Sequence, residues 1–283
     1  MKFYDCHIHT MASHDSRQTP EGACEAALGA GLAGIAFTDH ADPFFFDRER
    51  TLENIKRSVG WVRETDKRYG GKLRVFHGIE MGEPLICPEK TDMLFSLSDY
   101  DVVLGSVHTV YLEDVDDSYS RINFDADHAD EGKIHRFLDK YFSQMLDMAE
   151  RGDFDILTHL SCPLRYLNGK YCRGVTLDRH ADVIDRILGV ILGRSISLEI
   201  NTSGIDAAYG DFMPMRSIVE RYYALGGRMV TLGSDAHSSD RVGHGLAAAA
   251  EMLADIGFDG IYHYENRVPI FDRFDTNKGG DHE

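Results

Sequence analysis

Short apolar runs rich in β-branched residues recur along the chain, separated by longer stretches with helical periodicity. This alternation is typical of βα units arranged around a parallel sheet. The apolar runs predict seven strands, at Phe3–Cys6, Gly34–Thr38, Leu73–Ile79, Asp101–Ser106, Asp155–Thr158, Ile196–Ile200 and Met229–Gly233. The stretches between them predict helices near residues 20–30, 52–69, 133–151, 177–193, 214–226 and 245–257.

The segments 133–151 and 110–132 show opposite patterns, one strongly periodic and the other acidic without a period. In the 133–151 segment, Phe137, Tyr141, Met145 and Met148 recur at three- and four-residue spacing, which indicates the core face of a helix. The 110–132 segment carries eight acidic residues, one Arg and no sustained periodicity, so it is predicted to be a long loop.

The chain shows no linker or repeat that would divide it. Its 283 residues suit one α/β barrel domain, which often needs about 250 residues. We therefore predict a single domain over residues 1–275, followed by a flexible C-terminal tail over 276–283.

Composition and charge argue against several classes of partner and location. With 30 Lys plus Arg against 47 Asp plus Glu, the net charge of −17 argues against nucleic-acid and anionic-membrane partners. No run approaches the roughly 18 apolar residues of a membrane span, and the N-terminus lacks a secretion-type apolar segment, so a cytoplasmic location is expected. The five cysteines form no CxxC pair and are interpreted as reduced thiols.

The 14 histidines carry the chemical information, because nearly every predicted strand ends in a metal-type ligand. In a parallel barrel the carboxyl ends of the strands meet on one face, where the active site lies. A lone histidine is more often structural, but this regular placement favours ligands. The candidates are His7, His9, His40, Glu80, His108, His159, Asp235 and His237.

These ligand types indicate which ions would bind. His7 and His9 are two residues apart, so on an extended strand both side chains point to the same side. Imidazole and carboxylate ligands without cysteine suit Zn, Mn or Fe. Eight ligands exceed the needs of one ion, so two to three divalent ions are predicted, with Glu80 bridging a pair. Paired metal ions about 3.5–4 Å apart activate water for attack on phosphoesters.

The sequence blocks HIHT, TDHAD, GIEMGE, GSVHTV, ILTHL, LEINTSG and GSDAHSSDRVG resemble the PHP (polymerase and histidinol phosphatase) superfamily, in order and over residues 5–245. Within it, the length and several blocks are most similar to the histidinol-phosphate phosphatases. The resemblance implies an α/β fold, specifically a distorted (β/α)7 TIM-like barrel, with a trinuclear metal centre.

The resemblance also implies a distribution of ligands. His7 and His9 would hold one ion together with Glu80 and Asp235, and Glu80, His108 and His159 would hold a second. His40 and His237 would hold the third with a residue of the first loop. Either His14 or Asp15 fits that place, and Asp15 is narrowly favoured.

Arg165 follows His159 by six residues and would lie on the same face, where a guanidinium can grip phosphate. Its alternative is a surface ion pair. Arg216 and Arg241 are weaker candidates for a second basic contact. Cys6 and Cys162 adjoin proposed ligands, but they are interpreted as small buried residues rather than nucleophiles.

We therefore expect a metal-dependent phosphomonoesterase that acts on a small phosphorylated substrate, with L-histidinol phosphate as the first candidate. Glu80, Asp235, His237 and Arg165 are the predicted catalytic residues. The alternatives are an esterase for another small phosphate ester or nucleotide, an accessory module of a DNA polymerase, or a metal-buffering protein. The sequence does not predict the oligomeric state.

Overall fold

The computed structural model describes residues 2–112, 115–119 and 121–274. In this part of the chain, seven parallel strands form a sheet in the order β1-β2-β4-β5-β8-β9-β10, and a short β3 pairs with β4. Their bounds are β1 Tyr4–Ile8, β2 Gly34–Phe37, β3 His40–Ala41, β4 Arg74–Gly82, β5 Val102–Ser106, β8 Ile156–Leu157, β9 Ser197–Asn201 and β10 Val230–Gly233.

The sheet nearly closes on itself. Ile8 bridges Ala236, and the Asp235 amide donates to the His7 carbonyl over 2.7 Å, so the first and last strands meet. All seven predicted strands are present with bounds shifted by a few residues at most. The prediction of a distorted (β/α)7 TIM-like barrel is confirmed.

The helices pack outside the strands. Asp130 caps α4 by accepting from the Lys133 amide, and α4 buries Phe137, Tyr141 and Met145 as its periodicity predicted. The short α3 was not predicted. No helix of the described residues is long and apolar enough to cross a bilayer. The helices are α1 Pro20–Gly29, α2 Thr51–Tyr69, α3 Pro88–Phe95, α4 Glu131–Arg151, α5 Ala181–Arg194, α6 Arg216–Ala224 and α7 Leu246–Ile256.

Two antiparallel hairpins differ from the sequence expectation. The predicted loop 110–132 is wrong in its first part, because β6 (Thr109–Leu112) and β7 (Val115–Ser118) pair there. A second hairpin, β11 (Gly260–Glu265) with β12 (Val268–Arg273), was not predicted. The tail predicted for 276–283 lies outside the described residues.

The second hairpin closes the amino-terminal end of the barrel. Tyr264 of β11 packs in an apolar cluster with Tyr4, Phe76 and Val102 from the early parts of the strands. Its hydroxyl donates to the Asp155 carbonyl over 3.1 Å. The carboxyl end therefore remains as the open end of the barrel, where the loops can form a site.

Candidate metal centre

The residues predicted at the strand ends come together at the open end of the barrel. Adjacent imidazole rings in this group have centroids between 4.1 and 5.9 Å apart. Residues separated by up to 230 positions are thus neighbours. We call the following set the ligand cluster: His7, His9, His40, Glu80, His108, His159, Asp235 and His237.

One part of the ligand cluster is built by β1 and the loop after β10. The pairing of β1 with β2 is irregular between Asp5 and Ile8, and such irregularities re-aim side chains. His7 lies within this irregular stretch and His9 just after it, and their Nε2 atoms are 3.1 Å apart. Asp235 Oδ1 lies 3.1 Å from His9 Nε2 and 3.6 Å from His7 Nε2. The structure brings this predicted group together.

Glu80, at the end of β4, lies between the histidines and is fully buried. Its Oε1 is 3.1 Å from His108 Nε2 and 3.0 Å from His159 Nε2. Its Oε2 is 3.4 Å from His7 Nε2 and 2.7 Å from His40 Nδ1. The two oxygens of one carboxylate therefore face different sets of imidazoles, which is the geometry a bridging ligand needs.

The first loop supplies a carboxylate to the remaining histidines. Asp15 Oδ1 lies 3.6 Å from His40 Nε2 and 3.3 Å from His237 Nε2. His14 instead faces Glu49, with 3.4 Å between His14 Nδ1 and Glu49 Oε2. Of the two residues that the sequence left open, the geometry favours Asp15 as the third ligand of this group.

We expect Asp15→Asn to weaken metal binding by this group, because the amide removes the negative charge that would face the ion. His14→Gln should leave the bound metal unchanged. Elemental analysis of both variants after dialysis measures the difference. Loss of metal in His14→Gln with full retention in Asp15→Asn would reverse the assignment.

Hydrogen bonding determines which nitrogen of each ring is available to a ligand. His7 Nδ1 lies 2.6 Å from Glu199 Oε1, and His9 Nδ1 lies 3.0 Å from Ser13 Oγ. Because the Ser13 hydroxyl donates to Asp39, it can only accept from His9. Both Nδ1 atoms are therefore donors, so the two Nε2 atoms, which face each other across 3.1 Å, are the ones available to a ligand. A metal ion between them would take the place of any proton on these nitrogens.

The same reasoning applies to His108. Its Nδ1 is 3.0 Å from Asp42 Oδ1 and donates to that carboxylate, so Nε2, 3.1 Å from Glu80 Oε1, is the nitrogen that a metal ion would take. In the described residues, His237 Nε2 is also buried without a hydrogen-bond partner, and Glu80 Oε2 and His40 Nδ1, although 2.7 Å apart, do not meet at hydrogen-bond angles. Buried polar atoms are rarely left unsatisfied. This donor set fits Zn, Mn or Fe, which take imidazole nitrogen and carboxylate oxygen.

Sequence reasoning missed the residues that hold the ligands from behind. Glu199 on β9 also accepts from the His159 amide over 2.7 Å, so it supports two histidines at once. Asp42 supports one histidine, His108, by accepting from its Nδ1. Such partners set the tautomer and orientation of metal-binding imidazoles. Their sequence indication was their place in the LEINTSG and TDHAD blocks, where no role was assigned to them.

Two glycines make room for these supporting carboxylates. A Cβ at Gly82 would lie 1.9 Å from Asp42 Oδ1, and one at Gly233 would lie 2.3 Å from Glu199 Oε1. Both distances are too short for any side chain. The glycines in the GIEMGE and GSDAH blocks are thus explained by carboxylates that approach the backbone closely.

The charges of the ligand cluster are strongly coupled. Burial alone would raise the pKa of Glu80, but His108, His7 and His40 hold that pKa well below its usual value. The pKa of Asp235 is shifted in the same direction: burial would raise it, but His7 and His9 hold it well below its usual value. Burial, with His237 and His40, lowers the pKa of His9 well below its usual value. The carboxylates are ionised and His9 is neutral at neutral pH, as metal ligation requires.

A cavity of about 550 Å³ opens above the ligand cluster. Arg165 lies on its wall, where Nη1 donates to Ser203 Oγ over 3.1 Å. Among the described residues, the guanidinium of Arg165 has this one hydrogen bond and no ion pair within 4.0 Å, which does not favour the surface ion-pair alternative. Arg165 is thus a cation that faces the cavity with its remaining donors available.

The two weaker basic candidates are placed differently. Arg241 lines the cavity and pairs with Asp206 over 2.8 Å, whereas Arg216 pairs with Glu220 on the outer surface of α6. Cys162 also lines the cavity, but burial raises the pKa of its thiol to about 11, which does not favour a thiolate nucleophile. Cys6 is buried, and all five cysteines are free.

Comparison with known proteins identifies relatives for this arrangement. The model of the PHP domain family matches residues 5–203. A probable histidinol-phosphatase from Deinococcus radiodurans is 28% identical over 256 residues, covering 89% of this chain and 93% of its own length. A probable histidinol-phosphatase from Clostridium acetobutylicum is 29% identical over 269 residues, covering 94% and 98%.

A solved structure shares the fold. The histidinol phosphate phosphatase from Lactococcus lactis, complexed with Zn, L-histidinol and phosphate, superposes with a TM-score of 0.77 at 20% identity. The match covers 95% of this chain and 99% of that one. At this identity the likeness shows the common barrel.

Proposed function

The chain belongs to the PHP domain family, and we propose that it is a metal-dependent phosphomonoesterase that hydrolyses L-histidinol phosphate to L-histidinol and phosphate. The match to the PHP domain model confirms the family resemblance drawn from the sequence. The observation that carries the proposal is Glu80, whose two oxygens face separate groups of histidines beneath a cavity lined by Arg165. Relatives of nearly full length named histidinol-phosphatase support the choice of substrate.

The proposed cofactors are two to three divalent ions, Zn, Mn or Fe. His7, His9, Glu80 and Asp235 would hold one ion, Glu80 with His108 and His159 a second, and Asp15, His40 and His237 a third. Bound divalent ions would lower the pKa of water and offset the charge of a phosphate dianion. This matters in a protein of net charge −17, which repels anions at long range.

The chain's own residues would bind and orient the ester. Arg165 presents a planar fork that can take two phosphoryl oxygens, and Ser203 fixes that fork from the side. The leaving alkoxide needs a proton. Asp235 and His237 lie on the cavity wall, but the ionised Asp235 has no proton to give. We therefore assign this transfer to His237, whose pKa burial would lower but Asp15 and Asp235 raise, in enzyme that carries two ions and leaves the third site empty.

Replacement of Arg165 tests the phosphate contact. Arg165→Lys keeps the charge but loses the fork, so kcat/KM should fall on the order of 10- to 100-fold, with metal content unchanged. The loss should be equal for histidinol phosphate and for 4-nitrophenyl phosphate, since both present the same phosphoryl group. Steady-state kinetics measure it, with the exposed Arg186→Lys as the matched control. A loss confined to histidinol phosphate would place Arg165 at the other end of the substrate.

A substrate panel tests the proposed function itself. Metal-supplemented enzyme should release phosphate from L-histidinol phosphate with a higher kcat/KM than from nucleotides, sugar phosphates or other amino-alcohol phosphates. A higher value for another ester would favour the alternative of a different small substrate. Absence of turnover on every ester would favour a metal-buffering role.

A further inference from the structure

Glu49 lies on the cavity wall, in the segment between β3 and α2. In the order of the seven strands around the barrel, β2 and β8 are three strands apart, close to diametrically opposite. Glu49 is in the segment that follows β2 and β3, and Arg165 is in the segment that follows β8. The two side chains therefore line opposite sides of the cavity, with the ligand cluster between them.

Glu49 differs from the other carboxylates of the cavity in its partners. Its side chain is 11% exposed, and its nearest cations are His14 Nδ1 at 3.4 Å and Arg121 Nη2 at 3.7 Å, both beyond a good hydrogen bond. Of the other cavity carboxylates, Asp15 faces His40 and His237 as a proposed metal ligand. The rest are held more closely: Asp42 by His108, Asp206 by Arg241 and His244, and Asp235 by His9.

The surroundings of Glu49 already attract cations. Phe45, one turn earlier in the chain, lines the same cavity. The Arg48 guanidinium lies 4.7 Å from the centroid of its ring, and that of Arg121 lies 5.7 Å away. Cations are thus stabilised beside this ring, and Glu49 is the carboxylate that adjoins it on the cavity wall.

We propose that Glu49 is a specificity-determining residue that receives the positively charged nitrogen of a phosphate ester whose phosphoryl group is held at Arg165. This inference rests on the proposed function as a phosphomonoesterase, and it extends that function to a preference for esters of cationic alcohols. A substrate with an anion at one end and a cation at the other matches the opposed charges of the cavity. The partial burial of Glu49 reduces screening by water, so the attraction is stronger than at an exposed site.

The test compares two esters that differ only in the distal charge, 4-aminobutyl phosphate and butyl phosphate. Wild-type enzyme should prefer the amino ester in kcat/KM. In Glu49→Gln this preference should fall by about 10-fold or more, through a higher KM for the amino ester, because the contact is made in the ground state as well as in the transition state. Glu49→Lys should reverse the preference.

Glu89→Gln, which changes an exposed glutamate at the start of α3, is the matched control and should keep the wild-type preference. An unchanged preference in Glu49→Gln would overturn the inference. So would equal losses on both esters, because Glu49 would then support the site without reading charge.

The two proposals can fail separately. Wild-type enzyme that does not hydrolyse L-histidinol phosphate contradicts the proposed substrate, yet a preference for aminobutyl over butyl phosphate that depends on Glu49 would still support the inference. Conversely, rapid hydrolysis of L-histidinol phosphate with an unchanged KM in Glu49→Gln would uphold the substrate and overturn the role of Glu49.

Discussion

Removal of divalent ions should abolish phosphatase activity, and re-addition of Zn, Mn or Fe should restore it. The reason is that the Nε2 atoms of His7 and His9 face each other in the ligand cluster, and Glu80 faces several imidazoles at once. Without cations this arrangement neither activates water nor offsets phosphate charge. Activity after dialysis against a chelator, followed by titration with each metal, measures the effect.

Metal content provides the quantitative form of this prediction. Purified active protein should carry two to three equivalents, since the ligands outnumber the needs of one ion. Elemental analysis that finds one equivalent or less in fully active protein would rule out the multinuclear centre.

Glu80→Gln should lower turnover on the order of 100-fold or more and reduce the bound metal. The amide keeps the shape of the side chain, but its neutral group cannot offset the charge of two cations. In the absence of metal the variant also removes the carboxylate that stabilises the surrounding imidazoles. Measurement of kcat together with metal content at saturating metal separates loss of binding from loss of chemistry.

The control for this variant is Glu64→Gln, an exposed glutamate on α2, which should keep both activity and metal. Thermal unfolding of both variants shows whether the barrel remains folded. Near wild-type turnover in a folded, metal-replete Glu80→Gln protein would exclude the bridging role.

Much of the fold was predictable because its information is local. Each barrel strand is a short apolar run, buried on both faces, and each helix has its own periodicity, so the seven strands and six of the helices could be recognised without knowing their neighbours. The β11–β12 hairpin escaped prediction, because its turn uses Asn266 and Arg267 at φ 50° and 61° in place of a recognisable Asn-Gly pair. The short α3 offered too few residues for a periodic pattern.

The ligand cluster was predictable for the same reason. Parallel strands in a barrel bring their carboxyl ends together whatever the details of packing. A histidine or carboxylate that follows a strand is therefore expected on the carboxyl-end face of the barrel. His108 and His159 could therefore be placed on the same face as Glu80, and the resemblance to the PHP superfamily implied that the three share an ion.

Only the tertiary structure decided the contacts that depend on loop conformation and side-chain direction. His14 and Asp15 are adjacent in the chain, and the path of the first loop turns Asp15 toward His40 while His14 faces Glu49. Glu199 supports His7 from a strand that is its neighbour only after the barrel closes. The sequence by itself determined which strand-end ligands meet, because strand ends converge. The structure determined the loop ligand, the supporting carboxylates and the direction of each side chain, because these arise from packing between distant segments.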